Sequence, residues 1–335
     1  MFPTGAVKVL VTGGCGFIGS NFIQTLFHKS NLSTCDDLEN YHFEDSGGEI
    51  EVMNLDAMTY AANRENLEGV EHLGCYHFAK VDISKKEEVE AAAGSFGPDY
   101  VVHFAAESHV DRSIESGDIF VRTNVLGTQV MLDFANRHEV KKFIHISTDE
   151  VYGSISEGSF TESDMLYTSN PYSASKGGSD LLAISHFETY GTPVTITRCT
   201  NNFGPGQHRE KLIPKIIHLA KIGEKIPIYG DGSNVRDWIY VKDHCMAILK
   251  VLENGEPGAI YNIAGNNEIS NIDVVHSVFS CLGIVDGGYH LTSDRPGHDW
   301  RYSIDDKKLR SLGWSPQMSF EKGLEYTVEW YGVDA

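Results

Sequence analysis

The fold of this chain is decided by residues 7–19, which read VKVLVTGGCGFIG. Residues 7–12 are a short apolar run rich in valine, as expected of a buried β-strand. Gly13, Gly16 and Gly19 follow at spacings that permit a tight turn, a close approach of the backbone to a pyrophosphate, and close packing of a helix on the strand. Because these glycines lie between a strand pattern and a helix pattern, they predict a dinucleotide-binding loop.

Short β-branched apolar runs alternate with helical patterns beyond this segment, which is typical of a parallel sheet with crossover helices. The strand candidates are residues 7–12, 50–56, 76–82, 100–105, 143–148 and 194–198. Runs such as VVHFA lack strict polar alternation, as strands covered on both faces do. We therefore predict an α/β fold built on a Rossmann-type doubly wound parallel sheet.

The alternation of strands and helices breaks after about residue 200, where loops rich in glycine and proline begin. This change predicts a dinucleotide-binding Rossmann domain over 1–200 and a smaller α/β substrate-binding domain over 201–335. A segment near 235–265 is expected to return to the first domain. Residues 29–48 are polar and acidic, and they are interpreted as an inserted surface loop that is either solvated or a contact for a partner.

The composition excludes several classes of function. The chain has 335 residues, and its net charge of −20 argues against nucleic acid or an anionic membrane surface as a partner. The six cysteines are scattered, and no His, Cys or Asp spacing indicates a metal site. Neither a signal-like N-terminus nor an apolar run of about 18–20 residues is apparent. We expect a cytoplasmic protein whose anionic ligand meets a local cluster of cations.

A carboxylate closes the second strand candidate at Asp56. An acid at this position typically hydrogen-bonds the adenosine ribose, and it favours NAD over NADP because it would repel a 2′-phosphate. Asp56 lies farther from Gly19 than the usual distance of about 20 residues, which the inserted loop explains. A solvated acid at the end of the strand is the alternative, and Asp82 is a weaker candidate for the adenine side.

Tyr172 and Lys176 lie four residues apart in a helical pattern, so they share one helix face. We expect the ammonium group of Lys176 to lower the pKa of the Tyr172 phenol and to make it a usable base near neutral pH. This pair indicates hydride transfer at an alcohol carbon.

Two adjacent carboxylates, Asp149 and Glu150, follow the strand candidate that ends at Thr148. Neighbouring carboxyl groups in a partly dry site tend to have separated pKa values, so one can serve as an acid and the other as a base. They predict a second proton abstraction and the loss of a leaving group. The structural alternative is that both carboxylates only cap a loop.

Together with other segments, these motifs resemble the dTDP-glucose 4,6-dehydratases of the extended short-chain dehydrogenase/reductase family over almost the whole chain. The matching segments are HFAAESHVDR at 103–112, TNVLGT at 123–128, STDEVYG at 147–153, NPYSASK at 170–176, RCTNNFGP at 198–205, NVRDW at 234–238 and DRPGHD at 294–299. The Thr-Asp-Glu element is the specific one. Epimerases of the same superfamily typically carry small or hydroxyl residues in place of Asp149 and Glu150.

The resemblance implies that the chain dehydrates a nucleotide-diphosphate glucose in deoxysugar biosynthesis, for example toward rhamnose. Tyr172 would take the proton of the sugar 4-hydroxyl while C4 delivers a hydride to NAD. Glu150 would then remove the C5 proton, protonated Asp149 would donate to the departing 6-hydroxyl, and Thr148 would orient the ring near O4. The hydride returns to C6, so that tightly bound NAD is regenerated in each turnover.

The resemblance also assigns positions to the cofactor and to the substrate. The cofactor positions are Gly13, Gly16, Phe17, Ile18, Gly19, Asp56, Thr59, Asp82, Ile83, Ala105, Ala106, Ser108, Asn124, Tyr172 and Lys176. The substrate positions are Ser108, Asn201, Lys211, Leu212, Pro227, Tyr229, Arg236, Asn271, Arg295 and His298. Arg236 and Arg295 are the strongest candidates for the diphosphate, because guanidinium groups fit phosphate oxygens and stay charged. A homodimer is implied, formed through the helix that carries Tyr172 and a helix near 120–136.

Two other functions stay open. A nucleotide-sugar 4-epimerase would use Tyr172 and Lys176 but would not need the two carboxylates. A non-catalytic NAD-binding protein would be free to lose all four side chains. No residue visibly distinguishes thymine from uracil, so dTDP-glucose is the preferred substrate and UDP-glucose is the alternative.

Overall fold

The structure is a computed structural model that describes residues 7–30, 49–285 and 287–333. Its strands are β1 (Val7–Thr12), β2 (Ile50–Asp56), β3 (Tyr76–Lys80), β4 (Tyr100–His103), β5 (Lys142–Thr148), β6 (Val194–Cys199), β7 (Asn201–Phe203), β8 (Ile226–Tyr229), β9 (Val235–Tyr240), β10 (Ile260–Ile263), β11 (Glu268–Ser270) and β12 (Tyr289–Thr292). Its α-helices are α1 (Phe17–Lys29), α2 (Lys86–Ala93), α3 (Val110–Glu115), α4 (Asp118–Phe120), α5 (Thr128–Arg137), α6 (Pro171–Tyr190), α7 (Leu212–Lys221), α8 (Val241–Asn254), α9 (Asn271–Cys281), α10 (Lys307–Arg310) and α11 (Phe320–Val333). A π-helix spans Val121–Gly127, and 3-10 helices span Arg64–Leu67 and Asp149–Tyr152.

The main sheet is parallel, with the strand order β10-β6-β5-β4-β1-β2-β3. From β1 the chain moves outward to β2 and β3, and it then crosses back to β4 and continues in the other direction. The predicted Rossmann-type doubly wound class is confirmed. In such sheets, ligands bind at the carboxyl ends of the strands, where the order reverses. Here that point lies between β1 and β4.

Alternate residues of β1 enter separate cores on the two faces of the sheet. Val9 and Val11 lie in a buried cluster with residues of α1 and α8, whereas Leu10 lies in a second cluster with residues of α2 and α5. Side chains of a strand point to opposite faces in turn, so a strand covered by helices on both sides is apolar throughout. This double burial holds the end of β1 and the glycine loop in a fixed position.

The C-terminal part of the chain has its own core. β9 pairs antiparallel with β11 and parallel with β7, and β8 pairs with β12. The rings of Phe203 and Phe320 lie 5.1 Å apart in this core. The segment near 235–265 begins as β9 in the small sheet, continues as α8 against α1, and ends as β10 at the edge of the main sheet.

Two strands are shorter than the sequence predicts. β3 ends at Lys80 instead of at 82, because the Asp82 carboxylate accepts hydrogen bonds from the backbone and the hydroxyl of Ser84 and turns the chain. β4 ends at His103 instead of at 105, because the backbone N–H of Ala105 donates to the Thr12 hydroxyl at 3.2 Å and leaves the ladder.

The predicted insertion at 29–48 falls mostly outside the described residues, which stop at Ser30 and resume at Glu49. Lys29 itself is the last residue of α1. Among the described residues, none of the helices has the length and apolar character needed to cross a bilayer.

Candidate active site

The five predicted catalytic residues come from two neighbouring elements. Thr148 is the last residue of β5, and Asp149 and Glu150 open the 3-10 helix that follows it. Tyr172 and Lys176 lie in the first turns of α6. The start of this helix is fixed by a capping box, in which Asn170 Oδ1 accepts from the Ser173 N–H at 2.9 Å and Ser173 Oγ accepts from the Asn170 N–H at 3.2 Å.

The Tyr–Lys pair does not behave electrostatically as the sequence predicts. Burial raises the pKa of Tyr172 well above its ordinary value, and the charge of Glu150 raises it further. Burial also lowers the pKa of Lys176 to about 8, and its Nζ donates to the Ile146 carbonyl at 2.6 Å. In the protein alone, the phenol pKa is therefore shifted in the direction opposite to the one predicted. Both groups lose hydration, and the neighbouring carboxylates oppose a phenolate.

The two carboxyl groups have different surroundings. Burial raises the pKa of Asp149 well above its ordinary value, with Glu150 and Asp237 as further causes, and its Oδ2 has no hydrogen-bond partner among the described residues. Burial also raises the pKa of Glu150, but the positive charges of Arg295 and Arg236 oppose the shift. This arrangement favours protonation of Asp149 over protonation of Glu150, as an acid and base pair requires.

Thr148 joins these groups. Its hydroxyl donates to Asp149 Oδ1 at 3.2 Å and accepts from the Glu150 N–H at 3.3 Å, and its side chain also hydrogen-bonds with Tyr172. The redox pair and the two carboxyl groups therefore share one hydroxyl at the end of β5.

The glycine loop leaves a cradle that larger residues would fill. Gly13 has φ +71°, and a Cβ placed there would lie 2.8 Å from the Ala105 Cα. A Cβ at Gly19 would lie 2.3 Å from the Gly13 carbonyl oxygen. Gly16 caps α1 without a side-chain hydrogen bond, so the N–H groups of the first helical turn stay available for a pyrophosphate. These residues fit a dinucleotide.

Sequence reasoning missed the role of Gly14. A Cβ there would lie 2.4 Å from Asn54 Oδ1, which accepts from the Gly14 N–H at 3.0 Å. Asn54 lies in β2, and no pattern in the sequence signals this contact.

Replacing Gly13 with Ala is expected to lower the affinity for the dinucleotide by about tenfold or more, because a loss of 1.4 kcal/mol already has that effect. The reasons are the positive φ and the overlap with Ala105. Cofactor content after purification and titration of the apoprotein measure the change. Gly158→Ala is the matched control, because Gly158 has φ +74° and a Cβ placed there would meet no atom within 4 Å. Equal affinity in Gly13→Ala and the wild type would contradict this account of the loop.

The other predicted cofactor residues lie at the same edge of the sheet. Asp56 Oδ2 accepts from the Cys15 N–H at 2.9 Å, so this carboxylate touches the glycine loop. The remaining residues at this edge are Phe17 and Ile18 at the start of α1, Ile83 after β3, and Ala105, Ala106 and Ser108 after β4. Thr59 is exposed in the turn after β2, and Asp82 is engaged with Ser84 and lies 3.3 Å from Arg122.

Asn124 lies in the π-helix, an irregularity frequent at functional sites. Its side-chain amide donates to the Glu107 carbonyl at 2.9 Å and to Ser175 Oγ at 2.8 Å. Ser175 Oγ in turn donates to the Tyr172 carbonyl at 2.7 Å. Asn124 thus connects the segment after β4 to the helix turn that carries the Tyr–Lys pair.

A cleft of about 640 Å³ opens beside Glu150 and is lined by all ten predicted substrate residues, which are Ser108, Asn201, Lys211, Leu212, Pro227, Tyr229, Arg236, Asn271, Arg295 and His298. Arg236 is buried, donates to the Val235 and Asp299 carbonyls, and stacks 4.2 Å above the Tyr302 ring. Arg295 Nε is buried and has no partner among the described residues. An anion in this cleft would find that donor unoccupied.

Sequence reasoning also missed Tyr302 and Asp299. The Tyr302 hydroxyl donates to Asp299 Oδ2 at 2.7 Å and lies 3.5 Å from Glu150 Oε2. Asp299 was visible only as the last letter of the DRPGHD segment. Tyr302 carries no signal, because its contact with Glu150 joins residues that are 152 positions apart.

His103 and His109 have structural positions. His103 is buried between the hydroxyls of Thr12 and Thr128, at 2.7 and 3.0 Å. His109 caps α3 by accepting from the Arg112 N–H at 3.4 Å.

The chain matches known proteins over almost its whole length. The model of the GDP-mannose 4,6 dehydratase family matches residues 10–327. The low-salt glycan biosynthesis protein Agl12 of Haloferax volcanii is 48% identical, covering 97% of this chain and 98% of that protein. A dTDP-glucose 4,6-dehydratase of Streptomyces niveus is 44% identical, with coverages of 97% and 93%.

A solved structure also matches the chain over almost its whole length. The crystal structure of DesIV, a dTDP-glucose 4,6-dehydratase from Streptomyces venezuelae with NAD and TYD bound, is 45% identical and superposes with a TM-score of 0.89 over 98% of both chains. The family match, the identities above 40% and the shared fold agree with the glycine loop and the Thr-Asp-Glu element described above. The chain belongs to the GDP-mannose 4,6 dehydratase family.

Proposed function

We propose that this protein is an NAD-dependent hydro-lyase that converts a nucleotide-diphosphate glucose, preferably dTDP-glucose, into the 4-keto-6-deoxy sugar for deoxysugar biosynthesis. The observation that carries the proposal is the junction at the end of β5. There Thr148 connects Tyr172 with Asp149 and Glu150, at the mouth of the cleft that holds the cations. A close relative and a close structural neighbour with the same activity support it.

The first step is proton removal from the sugar 4-hydroxyl by Tyr172. Thr148 hydrogen-bonds near the same oxygen and orients the ring for this step. Lys176 is held by the Ile146 carbonyl one helical turn from Tyr172. The positive charge of Lys176 stabilises the Tyr172 phenolate once the positively charged nicotinamide ring is also bound.

The glycine loop and Asp56 would hold NAD, which would supply the hydride acceptor for C4, the hydride donor for C6 and a positive charge on its nicotinamide ring. The ring of the sugar must therefore stay in one place while its chemistry changes. The cleft would provide this by binding the nucleotide end, away from the reacting carbons.

Asp149 and Glu150 carry out the elimination of water. A 4-ketone makes the C5 proton acidic, and Glu150, the carboxylate whose charge is supported by Arg295 and Arg236, removes it. Asp149, kept protonated by burial, gives its proton to the departing 6-hydroxyl, which leaves as water. The elimination balances, because one proton leaves C5 and one reaches the leaving oxygen, and Glu150 gives its proton back to C5 when the hydride is added at C6.

Binding of the diphosphate is assigned to Arg295 and Lys211, with Arg236 as a support. The hydrogen bonds of Arg236 to backbone carbonyls leave it less able to turn toward a ligand, whereas Arg295 Nε is unpartnered among the described residues. A planar guanidinium with an unoccupied donor suits phosphate oxygens.

Incubating the purified protein with dTDP-glucose and UDP-glucose in parallel tests the proposal. The expected product is a 4-keto-6-deoxy sugar, detected by its absorbance in alkali, without added NADH and with faster formation from dTDP-glucose. A 4-epimerase would instead convert UDP-glucose to UDP-galactose without a keto product. That outcome, or no turnover of either sugar by protein that contains NAD, would contradict the proposal.

We further propose a homodimer. Exposed apolar side chains lie on the helices named by the resemblance, namely Val121 and Leu126 in the π-helix and Leu181 in α6, and Ile114 and Ile119 are exposed on the short helices just before them. Exposed apolar surface that is large and contiguous marks protein–protein contacts. Sedimentation of the holoenzyme measures the mass, and a monomer at micromolar concentration would contradict the proposal.

The cytoplasm is the proposed location. Cys15, Cys199 and Cys245 are buried free thiols, which suit a reducing compartment. Cell fractionation tests this, and recovery in an extracellular fraction would contradict it.

A further inference from the structure

Asp111 contacts residues on the opposite wall of the substrate cleft. Asp111 lies in the first turn of α3, the helix that follows β4 of the main sheet, and it lines the cleft. Its Oδ2 accepts from the Tyr229 hydroxyl at 3.1 Å, and its Oδ1 lies 3.5 Å from Arg295 Nη1. Tyr229 ends β8 and Arg295 follows β12, so one carboxylate joins the two parts of the chain.

The Asp111 carboxylate interacts electrostatically with two cations of the cleft, Arg295 and Lys211. Burial lowers the pKa of the Lys211 ammonium, and the charge of Asp111 is among those that oppose the shift. The Arg295 side chain is 18% exposed and that of Asp111 is 37% exposed, so the pair is partly accessible to solvent, and both residues line the cleft. Neither the glycine loop nor the catalytic groups use Asp111.

The proposed diphosphate and Asp111 need the same donors. A diphosphate on Arg295 and Tyr229 would bring negative charge to the position that the carboxylate now occupies. Like charges in a cleft partly shielded from water repel strongly, so both cannot hold these donors together.

We propose that Asp111 is an exchangeable anion, which pairs with Arg295 and Tyr229 in the ligand-free protein and is displaced by the diphosphate of the substrate. The inference rests on the proposed function and deepens it. Displacement requires a ligand that carries more negative charge than one carboxylate. Asp111 therefore lowers the affinity for every ligand that must replace it, whereas an uncharged nucleoside leaves it in place.

Calorimetric titration of the holoenzyme tests the inference, with dTDP and UDP as diphosphate probes and thymidine and uridine as uncharged probes. In Asp111→Asn, the dissociation constant of the bound diphosphate is expected to fall by about tenfold or more, and the gain is expected to shrink at high salt. The constants for the nucleosides are expected to stay unchanged. Asp164→Asn is the control, because it removes the same charge from an exposed loop turn outside the cleft, where Asp164 accepts from Thr161.

The outcomes separate the possibilities. An unchanged or weaker diphosphate affinity in Asp111→Asn would overturn the inference, as would an equal shift for the nucleosides, which indicates a merely structural role. If the wild type binds neither diphosphate, the proposed function fails and the inference fails with it. Asp111→Ser gives the same comparison if the Asn variant does not fold.

Discussion

Replacing Glu150 with Gln is expected to lower the rate of dehydration by about 10²- to 10⁴-fold, the usual contribution of a general base. The amide has nearly the same size and can still accept from Tyr302, but it cannot take the C5 proton. Oxidation at C4 needs only the Tyr–Lys pair and is expected to continue. The variant should therefore bind NAD and sugar normally and stop after the first half of the reaction.

Exchange of the C5 proton with solvent deuterium isolates this step. The Glu150→Gln variant is expected to lose the exchange while the bound nicotinamide still becomes reduced, as its near-ultraviolet absorbance reports. Glu162→Gln is the matched control, since Glu162 accepts from the Asn262 N–H and lies outside the cleft. Exchange at the wild-type rate in Glu150→Gln would remove Glu150 from the role of base.

The same substitution has a second consequence for Asp149. The charge of Glu150 is one of the causes that raise the pKa of Asp149, so its neutralisation brings that pKa down. Burial, the larger cause, remains, so the pKa of Asp149 is expected to stay above its ordinary value. Exchange of the C5 proton does not require the acid, so a loss of exchange reports the missing base.

What the sequence predicts about this site depends on how local the signal is. The glycine loop, the acid that ends β2 and the spacing of Tyr172 and Lys176 are set within one or two elements, and their positions follow from strand and helix periodicity. Parallel strands end at one edge of a sheet, so residues after β1, β4 and β5 are expected to meet even though they are distant in the chain. The resemblance supplied the cleft residues, which no periodicity reveals.

Contacts and pKa shifts that arise only from packing could not be predicted from the sequence. Asp111 and Tyr229 are 118 positions apart, and no spacing rule connects them. The sign of the Tyr172 shift was wrong for the same reason. Helical spacing places an ammonium beside the phenol, but it does not report that both are buried or that Glu150 stands nearby. Electrostatics depends on solvent exclusion, which is a property of the whole fold.

Replacing Tyr172 with Phe is expected to lower turnover by about 10²- to 10⁴-fold and to block the reaction at its start. No reduced nicotinamide and no exchange at C5 are expected, because both require oxidation at C4. This pattern differs from that of Glu150→Gln, in which reduction persists. Tyr190→Phe is the matched control, since Tyr190 is exposed at the far end of α6. Reduction of the cofactor at the wild-type rate in Tyr172→Phe would exclude Tyr172 as the base.

The pH dependence gives an independent test of the same pair. The reactive form, a Tyr172 phenolate beside a Lys176 ammonium, carries one proton fewer than the fully protonated pair. Lys176, with a pKa of about 8, is the group that loses that proton first, and transfer of the Tyr172 proton to the neutral amine then yields the reactive form. In the wild type, kcat/KM should rise with pH through about pH 8 and level off above it. Tyr172→Phe should lose this rise in its residual activity, and Tyr190→Phe should keep it. An identical rise in Tyr172→Phe would assign the titration to a group outside the pair.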